Sequence, residues 1–93
     1  MEDIVYIISL YDYYGELLTE KQKNYFEDYY FDNLTMEEIA ENDGVSKNAI
    51  SKQIINIKEK LNYYESILKL YSNKLEIEKI LDKDTLNRII DYI

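Results

Sequence analysis

With 93 residues, the chain has the size of one small domain, which buries roughly 60 to 65% of the surface its unfolded form would expose. Asp and Glu number 19 against 11 Lys and Arg, a net charge of −8, so the body as a whole repels a phosphate backbone and nucleic-acid contact requires a local basic strip. Cysteine and histidine are absent, which excludes disulfides, thiolate and imidazole metal sites and Cys-His or Ser-His catalysis within the chain.

Proline is also absent, glycine occurs twice, and Ile, Leu, Lys and Glu are abundant, a composition that predicts an all-α fold. The N-terminus, MEDIVYIISL, starts acidic and runs into Tyr11, Asp12 and Tyr13, unlike a signal peptide. No stretch approaches the ~20 apolar residues of a membrane span. The expectation is a cytoplasmic protein without a membrane segment, and no cofactor is expected.

From Ile4 to Leu18, the residues Ile4, Ile7, Ile8, Tyr11, Tyr14 and Leu18 recur at three- and four-residue steps and predict a first amphipathic helix, with Gly15 near its end. Thr19 followed by Gln22 is a capping box that opens a helix to about Tyr30. Its inner face is Tyr25 or Phe26 with Tyr29 and Tyr30. Bases can stack on such tyrosines, but the helical spacing favours a core role with hydroxyls at the rim. Asp32-Asn33-Leu34 forms the next turn.

Thr35 to Ile57 carries the densest start, stop and turn signals and reads as a helix-turn-helix. Thr35 and Glu38 form a second capping box, with Ile39 and Ala40 facing inward. Gly44 suits a left-handed helix end, Val45 is expected to pack back under the corner, and Ser46 caps the next helix. On that helix Ile50, Ile54 and Ile57 form the inner stripe, leaving Lys47, Asn48, Ser51, Lys52 and Ile55 outward and Lys58 a turn later. Lys47, Lys52, Lys58 and Lys60 against Glu59 make Ser46 to Leu61 a strip of three net positive charges. The predicted nucleic-acid residues are Ser46, Lys47, Lys52 and Lys58 toward phosphates, and Asn48 and Ser51 toward base edges.

Ile50, Ile54, Ile57, Leu61, Tyr64, Leu68, Tyr71 and Leu75 then follow alternating steps of four and three, a coiled-coil-like seam. The recognition helix is expected to run on, or to continue after a small break, to about Tyr71, with Ser72-Asn73 as the favoured interruption. Ile67, Leu70, Ile77, Ile80 and Leu81 add a second apolar stripe, covered either by the first helix or by a second copy of the chain; the reading adopted is a homodimer. Ile55, Leu61, Tyr64, Leu68, Tyr71 and Leu75 are the expected dimer or partner face. Asp82 or Asp84 is expected to cap a last short helix through Leu86, Ile89, Ile90 and Ile93. Asp82-Lys83-Asp84 lacks the glycine and distal glutamate of a calcium loop. The organisation predicted is one domain, 1–93, with 62–93 as a helical extension for dimerisation.

LLTEKQKNYFEDYYFDNLTMEEIAENDGVSKNAISKQI resembles the YlxM-type helix-turn-helix proteins of bacteria, a family similar to the fourth region of sigma factors. The resemblance rests on Leu18-Thr19 followed by Lys21-Gln22-Lys23, the aromatic run around Tyr29-Tyr30, and Glu38-Ile39-Ala40-Glu41 leading into Gly44-Val45-Ser46-Lys47. It extends over roughly residues 10–71. It implies a small, all-helical dimer whose genes neighbour those of the signal recognition particle, and which takes part in that pathway or regulates its expression. Ile55-Asn56 departs from the pattern, because relatives tend to carry further basic residues there. An apolar group at Ile55 can meet a thymine methyl or a protein surface.

Two functional expectations follow. One is a DNA-binding regulator that places two copies of Ser46 to Lys58 in successive major grooves. The other is an adaptor that binds the protein or RNA of the signal recognition particle, its targeting GTPase foremost, through the acidic surface and the apolar seam. An enzyme is not expected, since the carboxylates fall on solvated helix faces and no pair of them shares an apolar pocket.

Overall fold

Two reciprocal caps and one left-handed glycine determine where the central helices begin and end. The computed structural model describes residues 3–80, and within them five α-helices and one 3-10 turn follow one another with no strand. They are α1 (Ile4–Tyr14), the 3-10 turn (Gly15–Leu17), α2 (Glu20–Tyr30), α3 (Met36–Asp43), α4 (Lys47–Leu68) and α5 (Leu70–Ile80). The last helix expected from an Asp82 or Asp84 cap through Ile93, and Leu81 of the second apolar stripe, lie outside the described residues.

Asp3 caps α1 by accepting from the Tyr6 amide at 3.1 Å. The first helix is shorter than its periodicity suggests, because the chain tightens at Gly15 and leaves Leu18 extended. Tyr11 lies across that tightening: a side chain on Gly15 would approach its ring to 3.0 Å. The same ring stacks on Phe26, with centroids 4.1 Å apart and planes 7° from parallel, which joins α1 to α2. Both halves of the Thr19-Gln22 capping box form, at 3.0 and 3.1 Å. Of the two alternatives on the inner face of α2, Tyr25 and Phe26 are both buried, while Tyr29 and Tyr30 are half-buried around the core.

The long helix α4 is the common support. Its inner stripe, Ile50, Ile54, Ile57 and Leu61, is solvent-free or nearly so, and the core around it is completed by Ile7, Leu10, Tyr14, Leu18, Tyr25, Phe26, Ile39 and Ala40. Burying each of the large apolar side chains stabilises the fold by about 1.5–3 kcal/mol before the entropic cost of ordering is subtracted. α1, α2 and α3 all pack on α4, with side-chain contacts of α1 at its C-terminal half through Asn62, Tyr64 and Glu65.

The interruption expected at Ser72-Asn73 occurs earlier, at Lys69, which is left-handed at φ 54° and separates α4 from α5. Its physical cause is a buried carboxylate. Glu65, 7% exposed, accepts from the Tyr14 hydroxyl at 2.6 Å and from the Tyr71 and Ser72 amides and the Ser72 hydroxyl at 3.2, 3.1 and 2.8 Å. The carboxylate thus caps the N-terminus of α5 from one turn before the bend, where the helix dipole favours a negative charge. Ser72 and Asn73 are inside α5.

Candidate nucleic-acid interface

The corner between α3 and α4 is built from local chemistry. Thr35 and Glu38 close their capping box at 3.0 and 3.1 Å. Gly44 takes φ 70° and ends α3, with its amide on the Glu41 carbonyl and the Val45 amide on the Ala40 carbonyl, a Schellman arrangement. Ser46 Oγ then accepts from the Ala49 amide at 3.1 Å and starts α4. Ile39, Ala40 and Ile50 fill the wedge between the helices. Val45 does not: it is 41% exposed, although its amide closes the turn on the Ala40 carbonyl.

The far end of α3 is tied to α2. The Tyr25 hydroxyl donates to Asp43 Oδ2, and Lys21 Nζ lies 3.3 Å from the same oxygen. These two partners, Tyr25 first, hold the Asp43 carboxyl below its ordinary range, whereas burial and the adjacent carboxylate push the Tyr25 hydroxyl up. Elsewhere the Tyr6 hydroxyl donates to Asn62 Oδ1 at 3.2 Å, so α1 is tied to the C-terminal half of α4. The rim thus holds the corner through groups that sequence spacing alone does not pair.

The surface that results carries the predicted nucleic-acid residues. Ser46, Lys47, Asn48 and Lys52 are exposed, and Ser51 and Lys58 are half-buried beside them. By helical periodicity Asn48, Lys52 and Ile55 fall opposite the Ile50-Ile54-Ile57-Leu61 stripe, with Glu59 one turn further along the same outward face. Ile55 is 49% exposed there. Lys47 Nζ is 2.9 Å from Glu37 Oε1 on α3, and Lys60 Nζ is 3.3 Å from Gln22 Oε1 on α2. Lysines near an N-terminal helix turn with its free amides can hold phosphate oxygens, and short polar side chains beside them can reach base edges. Among the described residues no cluster of three or more carboxylates is arranged to hold a metal ion.

The expected partner face divides. Leu68 and Leu75 are exposed along with Ile55, and Tyr64 and Tyr71 are half-buried. Tyr71 meets Tyr6 edge-on at 5.7 Å and Tyr13 at 6.4 Å, both within the chain. Leu61 is fully buried in the core and presents nothing to a partner. The reason is that Leu61 continues the Ile50-Ile54-Ile57 stripe into the core completed by residues of the other helices, and only beyond it does the buried stripe leave the heptad path for Glu65. Glu65 itself was not anticipated, although a carboxylate one turn beyond Leu61 on an apolar stripe is a detectable signal. No helix among the described residues is long and apolar enough to cross a membrane.

Comparison with known proteins gives one consistent result. The family model described as "Putative helix-turn-helix protein, YlxM / p13 like" matches residues 1–91. A UPF0122 protein of Streptococcus agalactiae serotype V is 40% identical over 83 residues, covering 89% of this chain and 74% of the relative. A UPF0122 protein of Fusobacterium nucleatum is 38% identical over 100 residues, covering 100% and 97%. One of Malacoplasma penetrans is 39% identical over 93 residues, covering 96% and 87%.

Proposed function

We propose a function on one premise: this chain belongs to the YlxM / p13-like helix-turn-helix family. The function is DNA binding by a regulatory protein, with α4 as the recognition helix. Lys47, Lys52 and Lys58, together with Ser46 and the first amides of α4, engage phosphates, while Asn48 and Ser51 meet base edges. The observation that supports this reading is the exposed start of α4, turned outward by the left-handed Gly44 and backed by its buried Ile50-Ile54-Ile57 stripe. Two copies, joined through the exposed apolar residues Leu68 and Leu75 of the 62–93 region, place two such helices on one duplex. The pathway proposed is that of the signal recognition particle, in which the protein takes part or whose expression it regulates, in keeping with the family's gene neighbourhood.

Counterion release gives the reading a magnitude. Log affinity should fall with log salt at a slope of about −3 per chain if all three lysines reach phosphates, and less steeply by about one for each lysine that keeps its partner within the chain. The test is fluorescence anisotropy with duplex DNA at two or more salt concentrations. A response flat in salt overturns the reading.

A second reading is favoured by the outward Ile55 and Glu59, which suit a groove of phosphates poorly, and by the net charge of −8. It is an adaptor that binds the signal recognition particle's targeting GTPase, with acidic charge speeding the encounter and apolar side chains supplying affinity. The double reversal Lys47→Glu with Lys52→Glu separates the two: it abolishes duplex binding under the first reading and leaves GTPase binding intact under the second.

A further inference from the structure

The lysine at the start of α4 already has an anionic partner. Lys47 Nζ and Glu37 Oε1 are 2.9 Å apart, with the two side chains 58% and 63% exposed. A pair so open to water contributes little to folding. The corner does not require it, since Gly44, the Ser46 cap and the Ile39-Ala40-Ile50 wedge fix α3 against α4. A carboxylate oxygen, however, offers an ammonium the same acceptor that a phosphate oxygen does. A duplex phosphate reaching Lys47 must either displace Glu37 or stand beside a second anion. Lys52, a little over one turn further on the same helix, has no ion-pair partner among the described residues.

We propose that Glu37 sets the affinity of this surface for duplex DNA, occupying Lys47 so that the protein does not settle on a phosphate backbone by charge alone. The inference rests on α4 being the DNA-contacting helix. Its consequence is that releasing Lys47 makes the salt slope steeper by about one than that of the native chain. The Lys47 hydrogen bond also holds the Glu37 carboxyl below its ordinary range, so the competitor stays ionised at neutral pH.

The test uses the whole chain and a mixed-sequence duplex of roughly two helical turns, read by anisotropy in roughly 0.1 M salt. The variants are Glu37→Gln, Lys47→Gln, the two combined, and Glu41→Gln. Glu41→Gln removes an equal charge one turn along α3 without touching Lys47. Glu37→Gln should tighten binding about three- to tenfold, an exposed pair lost plus a repulsion relieved. That gain should vanish in the Lys47→Gln background, and Glu41→Gln should give a clearly smaller one. Equal tightening in both backgrounds, equal tightening by Glu41→Gln, or no tightening at all overturns the role of Glu37. If neither the native chain nor Glu37→Gln shows salt-dependent binding, the assignment of α4 to DNA fails, and the role of Glu37 fails with it. Native binding without a gain overturns Glu37 alone.

Discussion

The Tyr14 hydroxyl donates to Glu65 Oε1 at 2.6 Å and accepts from the Leu70 amide at 3.1 Å, so one side chain of α1 joins the last turn of α4 to the first turn of α5. The bend at Lys69 places a lysine in a left-handed conformation that costs about 1–2 kcal/mol, and this knot of hydrogen bonds is what offsets it. Removing Glu65 as Glu65→Ala takes the acceptor from the Tyr14 hydroxyl proton and from the Tyr71 and Ser72 amides, and should lower stability by about 2–3 kcal/mol. Tyr14→Phe should lower it by about 1–2 kcal/mol. Urea unfolding measures both losses. Amide exchange at Tyr71 and Ser72 should accelerate in Glu65→Ala well before the core opens.

The same pair sets a dependence on pH at both ends of the scale. Burial pushes the Glu65 carboxyl up, but the hydrogen bonds from Tyr14, Ser72 and the Tyr71 amide outweigh it and hold the group below its ordinary 4.5. The folded carboxyl therefore releases its proton more readily than the unfolded one. Its contribution is complete above the ordinary value and is lost as pH falls through the depressed folded value. Glu65→Gln should accordingly show a shallower loss of stability on acidification than the native chain. Tyr14 behaves in the opposite sense: burial first, then its bond to Glu65, pushes it up to about 12. Its contribution is complete below the ordinary 10 and disappears as pH rises through about 12. An ultraviolet titration of tyrosinate should lose one late-ionising tyrosine in Tyr14→Phe, while Tyr11, Tyr6 and Tyr25, which burial also pushes up, continue to ionise late.

At Gly44 the space is open but the backbone is not. A Cβ there meets nothing within 4 Å, and φ is 70°. Gly44→Ala should thus cost about 1–2 kcal/mol from the left-handed conformation alone. Gly44→Asn should cost less, since asparagine tolerates that region. Thermal unfolding gives the comparison, and retained α-helical circular dichroism at low temperature would show that the corner still forms.

Leu61→Ala and Ile55→Ala separate core from surface on a single helix. The first should destabilise the fold by about 2–5 kcal/mol, as loss of a fully buried side chain. The second should remain within about 0.5 kcal/mol of the native chain. Any effect of Ile55→Ala on DNA or protein binding is then separable from folding.

The helix-turn-helix was legible in the sequence because its determinants are local. Thr35 with Glu38, the left-handed Gly44 and the Ser46 cap each act within a few residues, and the isoleucine stripe of α4 repeats at helical spacing. What was not legible depends on residues far apart in the chain. The bend at Lys69 needs Tyr14, 51 positions before Glu65, to complete its cap, and so spacing misplaced it at Ser72-Asn73. Leu61 appeared to belong to a partner-facing seam because spacing shows one continuous apolar stripe from Ile50 to Leu75 and not which part of it the other helices of the chain cover. For the interface, the exposed lysines were readable from the pattern. The engagement of Lys47 by Glu37 was not, because it links two helices across the turn.

The most direct measurement is the affinity of the whole chain for duplex DNA across a range of salt concentrations, set beside the Lys47→Glu, Lys52→Glu double variant. A log-log slope between about −1 and −3 per chain, with binding reduced at least about tenfold in the double variant, is the result expected. A slope near zero, or a double variant that binds as the native chain does, would contradict the assignment of α4 as a recognition helix.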